Sequence, residues 1–288
     1  MSRLEVSGLT HVYSVGTPFE RTAIEDVTFT VEPGEYVGII GHTGSGKSTL
    51  VQHLNGLMKP TSGSVLLDGK NIWERETDIR ALRFRVGLVF QYPEYQLFED
   101  TVYRDISFGP RNMGLEESEI DARVRWAAEL CGVEEALLSR SPFELSGGQK
   151  RRVAIAGVLA MQPEILIMDE PTAGLDPRGR DEILSHVQRY HKERGASVLL
   201  VSHSMEDVAR QVDSVLVMQH GRLALRGGVR EVFSKTEELK EMGLSVPQVT
   251  AVFARLCAAG LDLPREVFTV EQGVEAIRKL MIERRILA

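Results

Sequence analysis

Cysteine is scarce in this sequence, and its scarcity excludes two kinds of scaffold. Only Cys131 and Cys257 occur among 288 residues, and neither belongs to a Cys-x-x-Cys pair or to a cluster with histidine. The sequence therefore indicates neither a disulfide framework nor a zinc site, and it fits a reducing compartment. Cys131 continues a helical apolar pattern with Ile120 and Val124, so we expect it to pack in a core rather than to serve in redox chemistry.

Long apolar runs are absent as well. Uninterrupted apolar segments such as Ile165–Met168 are far shorter than the ~20 residues that span a bilayer. The first residues, Met1–Glu5, lack the apolar segment of a signal peptide, and we expect no secretory leader. Any role at a membrane is therefore predicted to depend on a partner protein.

An excess of basic charge is the third absence. Lysine and arginine number 34 against 41 acidic residues, which gives a net charge of −7. Proteins that act mainly on nucleic acid normally carry a basic surface, so no nucleic-acid partner is expected. The composition is 43% hydrophobic and 26% charged, which is typical of a folded globular protein of one large domain or two modest ones.

The apolar pattern predicts an α/β fold with a parallel sheet covered on both faces. Uniformly apolar stretches, typical of buried parallel strands, lie at Tyr36–Ile40, Val86–Phe90, Ile165–Met168, Val198–Val201 and Ser214–Met218. Alternating stretches predict more strands early in the chain, at Leu4–Val6, Val27–Val31 and Ser64–Leu67. Between Thr101 and Leu145 the periodicity becomes helical.

A glycine-rich loop between a predicted strand and a predicted helix, Lys47–Leu57, is the first chemical motif. Residues 41–48, Gly-His-Thr-Gly-Ser-Gly-Lys-Ser, match GxxxxGK[ST] in the context that this motif requires. Glycines let successive backbone N–H groups face an anion, and the helix N-terminus adds the positive end of its dipole. We expect Lys47 to reach the β- and γ-phosphates of a nucleotide and Ser48 to ligate Mg²⁺. A plain glycine-rich turn is the alternative, and the loop alone does not separate kinases, GTPases and ATPases.

An apolar strand that ends in two carboxylates narrows the choice among the reactions that phosphate-loop proteins catalyse. Asp169 and Glu170 follow Ile165–Met168, at the sheet edge where the phosphate loop is expected. Asp169 suits Mg²⁺, directly or through water, and Glu170 is placed to polarise a water for in-line attack on the γ-phosphate. The alternative interpretation is that the pair caps the following turn.

A third motif, Leu145-Ser146-Gly147-Gly148-Gln149, opens a helical run about 20 residues before Asp169. Ser146 as an N-cap followed by two glycines makes a second exposed helix start that can bind an anion. Two such helix starts in one chain suggest that each nucleotide is shared between two subunits. A glycine-rich linker is the alternative.

With these three motifs the sequence resembles the ATP-binding cassette (ABC) family, whose signature is LSGGQ. Asp176, in Ala-Gly-Leu-Asp, and His203, in Val-Ser-His, complete the family's order of motifs. The resemblance covers residues 1 to about 230 and implies the P-loop NTPase fold of ABC ATPases. That fold has a RecA-like parallel core, an antiparallel β subdomain and a helical signature subdomain at about 101–160. The implied division is a nucleotide-binding domain at 1–233 and a C-terminal helical extension at 234–288.

The resemblance also implies a role for each site residue. Catalysis falls to Glu170, to His203 as a switch at the γ-phosphate and to Gln91 as a sensor of Mg²⁺ and the attacking water. Mg²⁺ is expected at Ser48, Gln91 and Asp169. ATP is expected at Gly41, His42, Thr43, Gly44, Ser45, Gly46, Lys47, Ser48 and Thr49. Tyr13 would stack on adenine, with Phe19 or a core role for Tyr13 as alternatives. Leu145, Ser146, Gly147, Gly148 and Gln149 would contact the ATP of the opposite subunit, and Asp176 would lie in a dimer-interface loop.

A finer resemblance concerns Phe90–Val102 and Asp105–Asn112, which are similar to ATPases of energy-coupling factor (ECF) transporters, uptake systems for vitamins and for cobalt or nickel. Thr17–Glu20 is similar to the second of the two paralogous ATPases of those systems. The resemblance implies an ATPase bound peripherally at the cytoplasmic face of the membrane. Its expected partners are a second ABC ATPase, identical or paralogous, a membrane-embedded coupling subunit and a substrate-binding membrane subunit.

Two other kinds of ABC protein are alternatives. One is the ATPase of a conventional ABC importer. The other is a non-transport ABC ATPase, which is disfavoured because Gln91 and Ser146 are too close in sequence for an inserted long coiled coil. Within the ECF hypothesis, we expect the surface beside Gln91 to form a groove for a helix of the membrane partner, with packing inside the helical subdomain as the alternative. The expected wall is Tyr92, Pro93, Tyr95 and Leu97.

After Phe233 the sequence predicts two amphipathic helices. The first follows Ser245-Val246-Pro247, and the second starts at Thr269, where Gln272 completes a capping box. Their apolar faces carry Val249, Phe253 and Leu256, and Val274, Ile277 and Met281, respectively. We expect these faces to pair with another subunit, and packing onto the chain's own cassette is the alternative.

Overall fold

The computed structural model describes residues 2–74, 77–264 and 266–283. Within these ranges the strands are β1 (Leu4–Tyr13), β2 (Arg21–Val31), β3 (Tyr36–Ile40), β4 (Ser62–Leu67), β5 (Lys70–Asn71), β6 (Val86–Val89), β7 (Ile165–Asp169), β8 (Ser197–Val201), β9 (Ser214–Gln219) and β10 (Arg222–Gly228). The α-helices there are α1 (Lys47–Leu54), α2 (Ile79–Arg85), α3 (Val102–Asn112), α4 (Glu117–Leu130), α5 (Gly147–Leu159), α6 (Pro177–Arg194), α7 (Met205–Gln211), α8 (Val229–Ser234), α9 (Thr236–Glu241), α10 (Gln248–Ala258) and α11 (Val270–Glu283). The predicted α/β class is confirmed.

The strands form two sheets of different character. Six strands in the order β10-β9-β3-β8-β7-β6 form a parallel sheet, except that β10 pairs antiparallel with β9. The other four form an antiparallel sheet in the order β2-β1-β4-β5. This arrangement confirms the expected parallel core with an antiparallel β subdomain.

The five parallel strands of the six-stranded sheet are buried on both faces, which explains their uniformly apolar sequences. Tyr36 and Ile40 of β3 belong to one apolar cluster, which includes residues of helices α3 to α7. Val37 and Ile39 of the same strand belong to a second cluster, which includes residues of α1 and of the antiparallel sheet. Because β3, β6, β7 and β8 are parallel, the segments after their carboxyl ends meet at one edge.

Helices α3, α4 and α5 form the helical subdomain. Ile120, Val124 and Cys131 are all buried in one apolar cluster, which confirms the packing role predicted for Cys131. Burial raises the pKa of the Cys131 thiol to about 12, so the thiol stays protonated at neutral pH.

The C-terminal helices pack partly onto the cassette and partly on each other. Phe268, which precedes α11, lies with its ring 6.2 Å from that of Phe233 in α8. Phe253 of α10 is buried, and α11 approaches it closely through Gly273, where a Cβ atom would lie 3.1 Å from Cε2 of Phe253. Val274 and Ile277 are exposed. The capping box at the start of α11 is confirmed, since Thr269 and Gln272 exchange hydrogen bonds of 3.3 Å.

Several features differ from the sequence expectations, among them the two-residue strand β5, which the sequence does not predict. Strand β10 was not among the predicted strands, because its burial alternates between intermediate and exposed and its sequence contains two glycines. Helix α1 ends at Leu54 rather than Leu57, since Gly56 adopts a left-handed backbone conformation with φ of 67°. Over the described ranges, we find no helix with both the length and the apolar character needed to cross a bilayer.

Candidate active site

The glycine-rich loop connects β3 to α1 and is shaped by close backbone contacts. A Cβ atom at Gly41 would lie 2.3 Å from the carbonyl oxygen of Met218, and one at Gly46 would lie 2.8 Å from that of Ala23. Gly46 also has φ of 101°. Any side chain at either position would displace backbone, so glycine is required by packing as well as by conformation.

The loop borders a cavity of about 620 Å³. Ten of the predicted site residues line it: Tyr13, Thr43, Gly44, Gly46, Lys47, Ser48, Thr49, Gln91, Glu170 and His203. Gly41 and Ser45 are buried in the same loop, and His42 is half-buried. The cavity therefore collects residues from the ends of several strands and from the first turn of α1.

Lys47 is buried at the base of this cavity. Its ammonium group donates hydrogen bonds to the carbonyl oxygens of Gly41, at 2.8 Å, and His42, at 3.2 Å. Burial lowers the pKa of Lys47, whereas the negative charges of Glu170 and Asp169 oppose that shift. A buried ammonium with only backbone partners can gain much from an anionic ligand such as a phosphate.

Asp169 ends β7 with a carboxylate oxygen that has no partner. Its Oδ1 atom is buried and makes no hydrogen bond to any residue that the structure describes. Burial raises the pKa of Asp169, and the neighbouring Ser48 hydroxyl opposes the rise. Mg²⁺ prefers oxygen ligands and commonly takes one or two from protein and the rest from water and phosphate. The orphan oxygen and the adjacent hydroxyl therefore fit Mg²⁺ beside a nucleotide.

Glu170 is held by donors from two other strand ends. Nε2 of Gln91, which follows β6, donates to Oε2 of Glu170 at 3.0 Å. Nε2 of His203, which follows β8, lies 2.6 Å from Oε1 of Glu170. The Glu170 backbone has φ of 49°, a conformation that costs a non-glycine residue roughly 1–3 kcal/mol and that clusters at functional sites. The carboxylate is thus fixed at the cavity wall, where it can accept a proton from a water molecule.

The signature segment, residues 145–149, lies outside the cavity of its own chain. Ser146 caps α5, with its hydroxyl accepting from the backbone N–H of Gln149 at 3.4 Å, and Oε1 of Gln149 accepts from the backbone N–H of Ser146 at 2.9 Å. Leu145 is buried, whereas Ser146, Gly147 and Gly148 are exposed and face open space. None of these five residues is among the described residues that line the cavity.

Asp176 and Tyr13 occupy positions that fit their expected roles. Asp176 is exposed and caps α6, accepting from the backbone N–H of Gly179 at 2.7 Å. Tyr13 lines the cavity with its hydroxyl 3.3 Å from Oγ1 of Thr49. Phe19, the alternative aromatic, is 83% exposed and is not among the described lining residues.

Comparison with known proteins agrees with this geometry. Residues 24–173 match the family model of the ABC transporter domain. Over 279 residues the chain is 51% identical to the energy-coupling factor transporter ATP-binding protein EcfA2 of Clostridium perfringens, an alignment that covers 96% of this chain and 98% of that protein. The chain belongs to the ABC family of ATPases.

Other comparisons refine the position of this ABC ATPase within the family. It is 52% identical over 277 residues to EcfA2 of Symbiobacterium thermophilum, which covers 96% of each chain. The solved structure of cbiO1 from Clostridium perfringens, described as part of the ABC transporter complex cbiONQ, has a TM-score of 0.73 and 42% identity and covers 87% of this chain and 98% of that one. The ATP-binding cassette MJ0796, bound to ADP and phosphate, has a TM-score of 0.70 and 27% identity, with 79% and 99% covered. The resemblance to ECF transporter ATPases is confirmed.

The structure of this ABC ATPase also adds lining residues that the sequence did not indicate. They are Arg21, Thr22 and Ala23 at the start of β2, and His220 and Gly221 in the turn after β9. The His220 ring lies 5.2 Å from that of His42 in the phosphate loop. Since β9 runs parallel to β3, the sheet-edge rule that located Asp169 also applies to the turn after β9.

The expected groove beside Gln91 needs one correction. Tyr92 and Tyr95 are exposed, the latter 83%, but Pro93 and Leu97 are buried. Leu97 packs into the core of the helical subdomain because the turn Pro93–Gln96 directs it inward. Leu97 nevertheless lines a groove together with the exposed Phe98, whose ring meets that of Phe108 edge to face at 4.9 Å.

Proposed function

We propose that this ABC ATPase binds ATP with Mg²⁺ in the cavity and hydrolyses the γ-phosphate through Glu170. The observation that carries the proposal is the Glu170 carboxylate, fixed by Gln91 and His203 in the cavity that Lys47 and Ser48 also line. A general base must lie within hydrogen-bond reach of the proton it removes. A carboxylate held at two oxygens by two strand ends meets that condition with little freedom to move.

The positions of the other residues support the roles proposed for them. Lys47 binds the phosphates, and the backbone N–H groups of the glycine-rich loop surround them. Ser48, Asp169 and Gln91 are the residues that would hold Mg²⁺, which supplies charge neutralisation at the phosphates when bound. His203 keeps Glu170 oriented and reaches toward the γ-phosphate. Tyr13 stacks on the adenine at the open end of the cavity.

The ATP site is completed by a second ABC ATPase subunit. The signature helix start of this chain is exposed and lies outside the chain's own cavity, which supports its use by the ATP of a partner. Asp176 is exposed where it caps α6, which supports a role in an interface loop. Two subunits, identical or paralogous, would therefore enclose two composite sites.

The hydrolysis cycle drives uptake by an ECF-type importer at the cytoplasmic face of the membrane. The names of the relatives support this assignment, and one structural relative is described as part of the ABC transporter complex cbiONQ. The exposed rings of Phe98 and Phe108 line a groove of about 270 Å³, a suitable anchor for a helix of a membrane-embedded coupling subunit. Gln96 also lines the groove, and its neighbour in sequence, Tyr95, adds a further exposed aromatic ring. A separate membrane subunit would bind the substrate, a vitamin or a transition-metal ion.

Co-purification of the chain from its own membranes tests this proposal. We expect a second ABC ATPase, a coupling membrane protein and one or more small substrate-binding membrane proteins, identified by mass spectrometry. A complex with two conventional permeases and an extracellular solute-binding protein would instead indicate the conventional ABC importer. A soluble complex without any membrane protein would contradict the transport function altogether.

A further inference from the structure

Arg151 is a charged residue deep inside the cassette. It lies in α5, the helix that the signature opens, and only 4% of its side chain is exposed. A buried charge is tolerated only when it is paired and hydrogen-bonded. Its guanidinium group forms a two-pronged pair with Glu94, at 2.9 Å from Nε and 2.6 Å from Nη2. Nη1 donates to the carbonyl oxygens of Pro171, at 3.2 Å, and Ala173, at 2.7 Å.

The partners of Arg151 lie within three residues of two catalytic side chains in the sequence. Glu94 lies three residues after Gln91, in the turn Pro93–Gln96. Pro171 directly follows Glu170 in the sequence. The ring of Tyr92, next to Gln91, lies 5.8 Å from the guanidinium carbon. One side chain therefore links the signature helix to the segments that carry Gln91 and Glu170.

The charge of Glu94 matches this arrangement. Burial alone would raise its pKa, but the hydrogen bonds and the charge of Arg151 hold the pKa below its ordinary value, so Glu94 stays ionised. The planar guanidinium fork fixes both the distance and the direction of its partners, which a lysine cannot do.

We propose that Arg151 is a positioning residue for ATP hydrolysis. It holds the Gln91 segment and the Glu170 segment at a fixed separation, and it ties both to the helix whose first turn faces the partner subunit's nucleotide. The inference rests on the roles proposed above for Gln91 and Glu170. If Arg151 has this role, its loss misplaces the Glu170 carboxylate and the Gln91 amide without removing any group that binds ATP.

The test compares Arg151→Met with a matched control, Arg123→Met, in the full-length chain. Arg123 of α4 also pairs with a carboxylate, through Nε and Nη2 hydrogen bonds of 3.0 and 2.6 Å to Oε1 of Glu119, and it donates to the carbonyl oxygen of Met161 at 3.3 Å. Among the described residues it makes no hydrogen bond to either catalytic segment. For each variant, steady-state ATPase kinetics and the dissociation constant of a fluorescent ATP analogue are measured on the same preparation.

For Arg151→Met we expect kcat to fall at least about tenfold, since small displacements of reacting groups can cost about a hundredfold. The KM for ATP and the dissociation constant should change less than about threefold, because Lys47 and the phosphate loop are untouched. Arg123→Met should keep kcat near that of the parent. Equal losses of kcat in both variants, or a loss confined to ATP affinity, would show that Arg151 only stabilises the fold.

Arg151→Lys keeps the inference testable if the methionine variant does not fold. Lysine retains the charge but not the fork, so we expect an intermediate kcat with an unchanged dissociation constant. A parental kcat in Arg151→Lys would contradict the positioning role. A further variant, Glu170→Gln, distinguishes failure of the proposed catalytic site from failure of the positioning role of Arg151. Undiminished hydrolysis in Glu170→Gln would overturn the proposed catalytic site, whereas its loss together with a normal Arg151→Met would overturn the positioning role alone.

Discussion

Replacing Ser146 with arginine should abolish most ATP hydrolysis while leaving ATP binding by the single subunit nearly unchanged. In the free chain an arginine at this position meets no obstacle, because Ser146 is exposed and the adjacent Gly147 and Gly148 face open space. The substitution removes the N-cap of α5, at a cost of about 1 kcal/mol. That cost lowers the melting temperature by roughly 2–4 °C in a domain of this size and leaves the chain folded.

The effect on the closed dimer should be much larger. If the signature docks on the partner's γ-phosphate, the arginine side chain occupies the docking space, and overpacking of this kind costs typically about 1–3 kcal/mol. At 1.4 kcal/mol per factor of ten, the closed population, and with it hydrolysis, falls roughly 5- to 150-fold. ATP affinity of the monomer should stay within about twofold, because Ser146 is not among the described residues that line the cavity.

The assay measures nucleotide affinity, ATP turnover and dimer content for Ser146→Arg beside two reference variants. Ser118→Arg adds the same charge at an exposed position of α4 and should leave all three quantities unchanged. Lys47→Ala removes the phosphate-binding ammonium and should abolish nucleotide binding. If Ser146→Arg lost as much monomer affinity as Lys47→Ala, the signature would act on its own chain's nucleotide, and the composite site would be refuted.

The remaining predictions concern surfaces and packing. Tyr95→Asp should spare the ATPase activity of the free chain but abolish pull-down of the membrane partner. Leu97→Asp should instead lower the free energy of unfolding by about 4 kcal/mol, because the substitution buries an unpaired charge; urea denaturation measures the change. Normal assembly of Tyr95→Asp with the membrane partner would contradict the first assignment, and parental stability of Leu97→Asp would contradict the second. In the native chain, iodoacetamide at pH 8 should modify Cys257 but not the fully buried, protonated Cys131, and mass spectrometry measures both reactions. Equal modification rates at the two cysteines would show that the helical subdomain opens readily. Glutamate at the exposed Val274 should weaken nucleotide-free dimers in sedimentation velocity, and an unchanged monomer–dimer equilibrium would reject a dimerisation role for α11.

The sequence predicted the phosphate loop, the strand that ends at Asp169 and the caps at Ser146 and Thr269, because each is encoded within a few consecutive residues. A buried parallel strand is apolar throughout, and a helix start needs one capping side chain. The sheet-edge rule also placed Asp169 and Glu170 beside the phosphate loop. Gln91 and His203 were assigned through the resemblance to the ABC family, and the structure brings both to the Glu170 carboxylate.

Features that depend on distant pairing were missed or misplaced. The Arg151–Glu94 pair joins residues 57 positions apart, and nothing in either local sequence marks the partner. Leu97 was expected to be exposed like its neighbours Tyr92 and Tyr95, but the turn before it directs its side chain into the core. His220 reaches the cavity only because β9 pairs with β3, more than 170 positions earlier in the chain.

The most direct test of the central claim is ATP turnover by Glu170→Gln. The change keeps the size of the side chain, removes the proton acceptor and leaves Lys47 and Asp169 in place. We expect ATP binding near the parental affinity, accumulation of ATP-bound dimers and a loss of hydrolysis of about 10²- to 10⁴-fold, the usual contribution of a general base. Glu193→Gln, which removes one carboxylate from a solvent-exposed pair with Arg189 in α6, is the control and should hydrolyse ATP at the parental rate. Hydrolysis by Glu170→Gln at the parental rate would contradict the assignment of Glu170 and the catalytic site built around it.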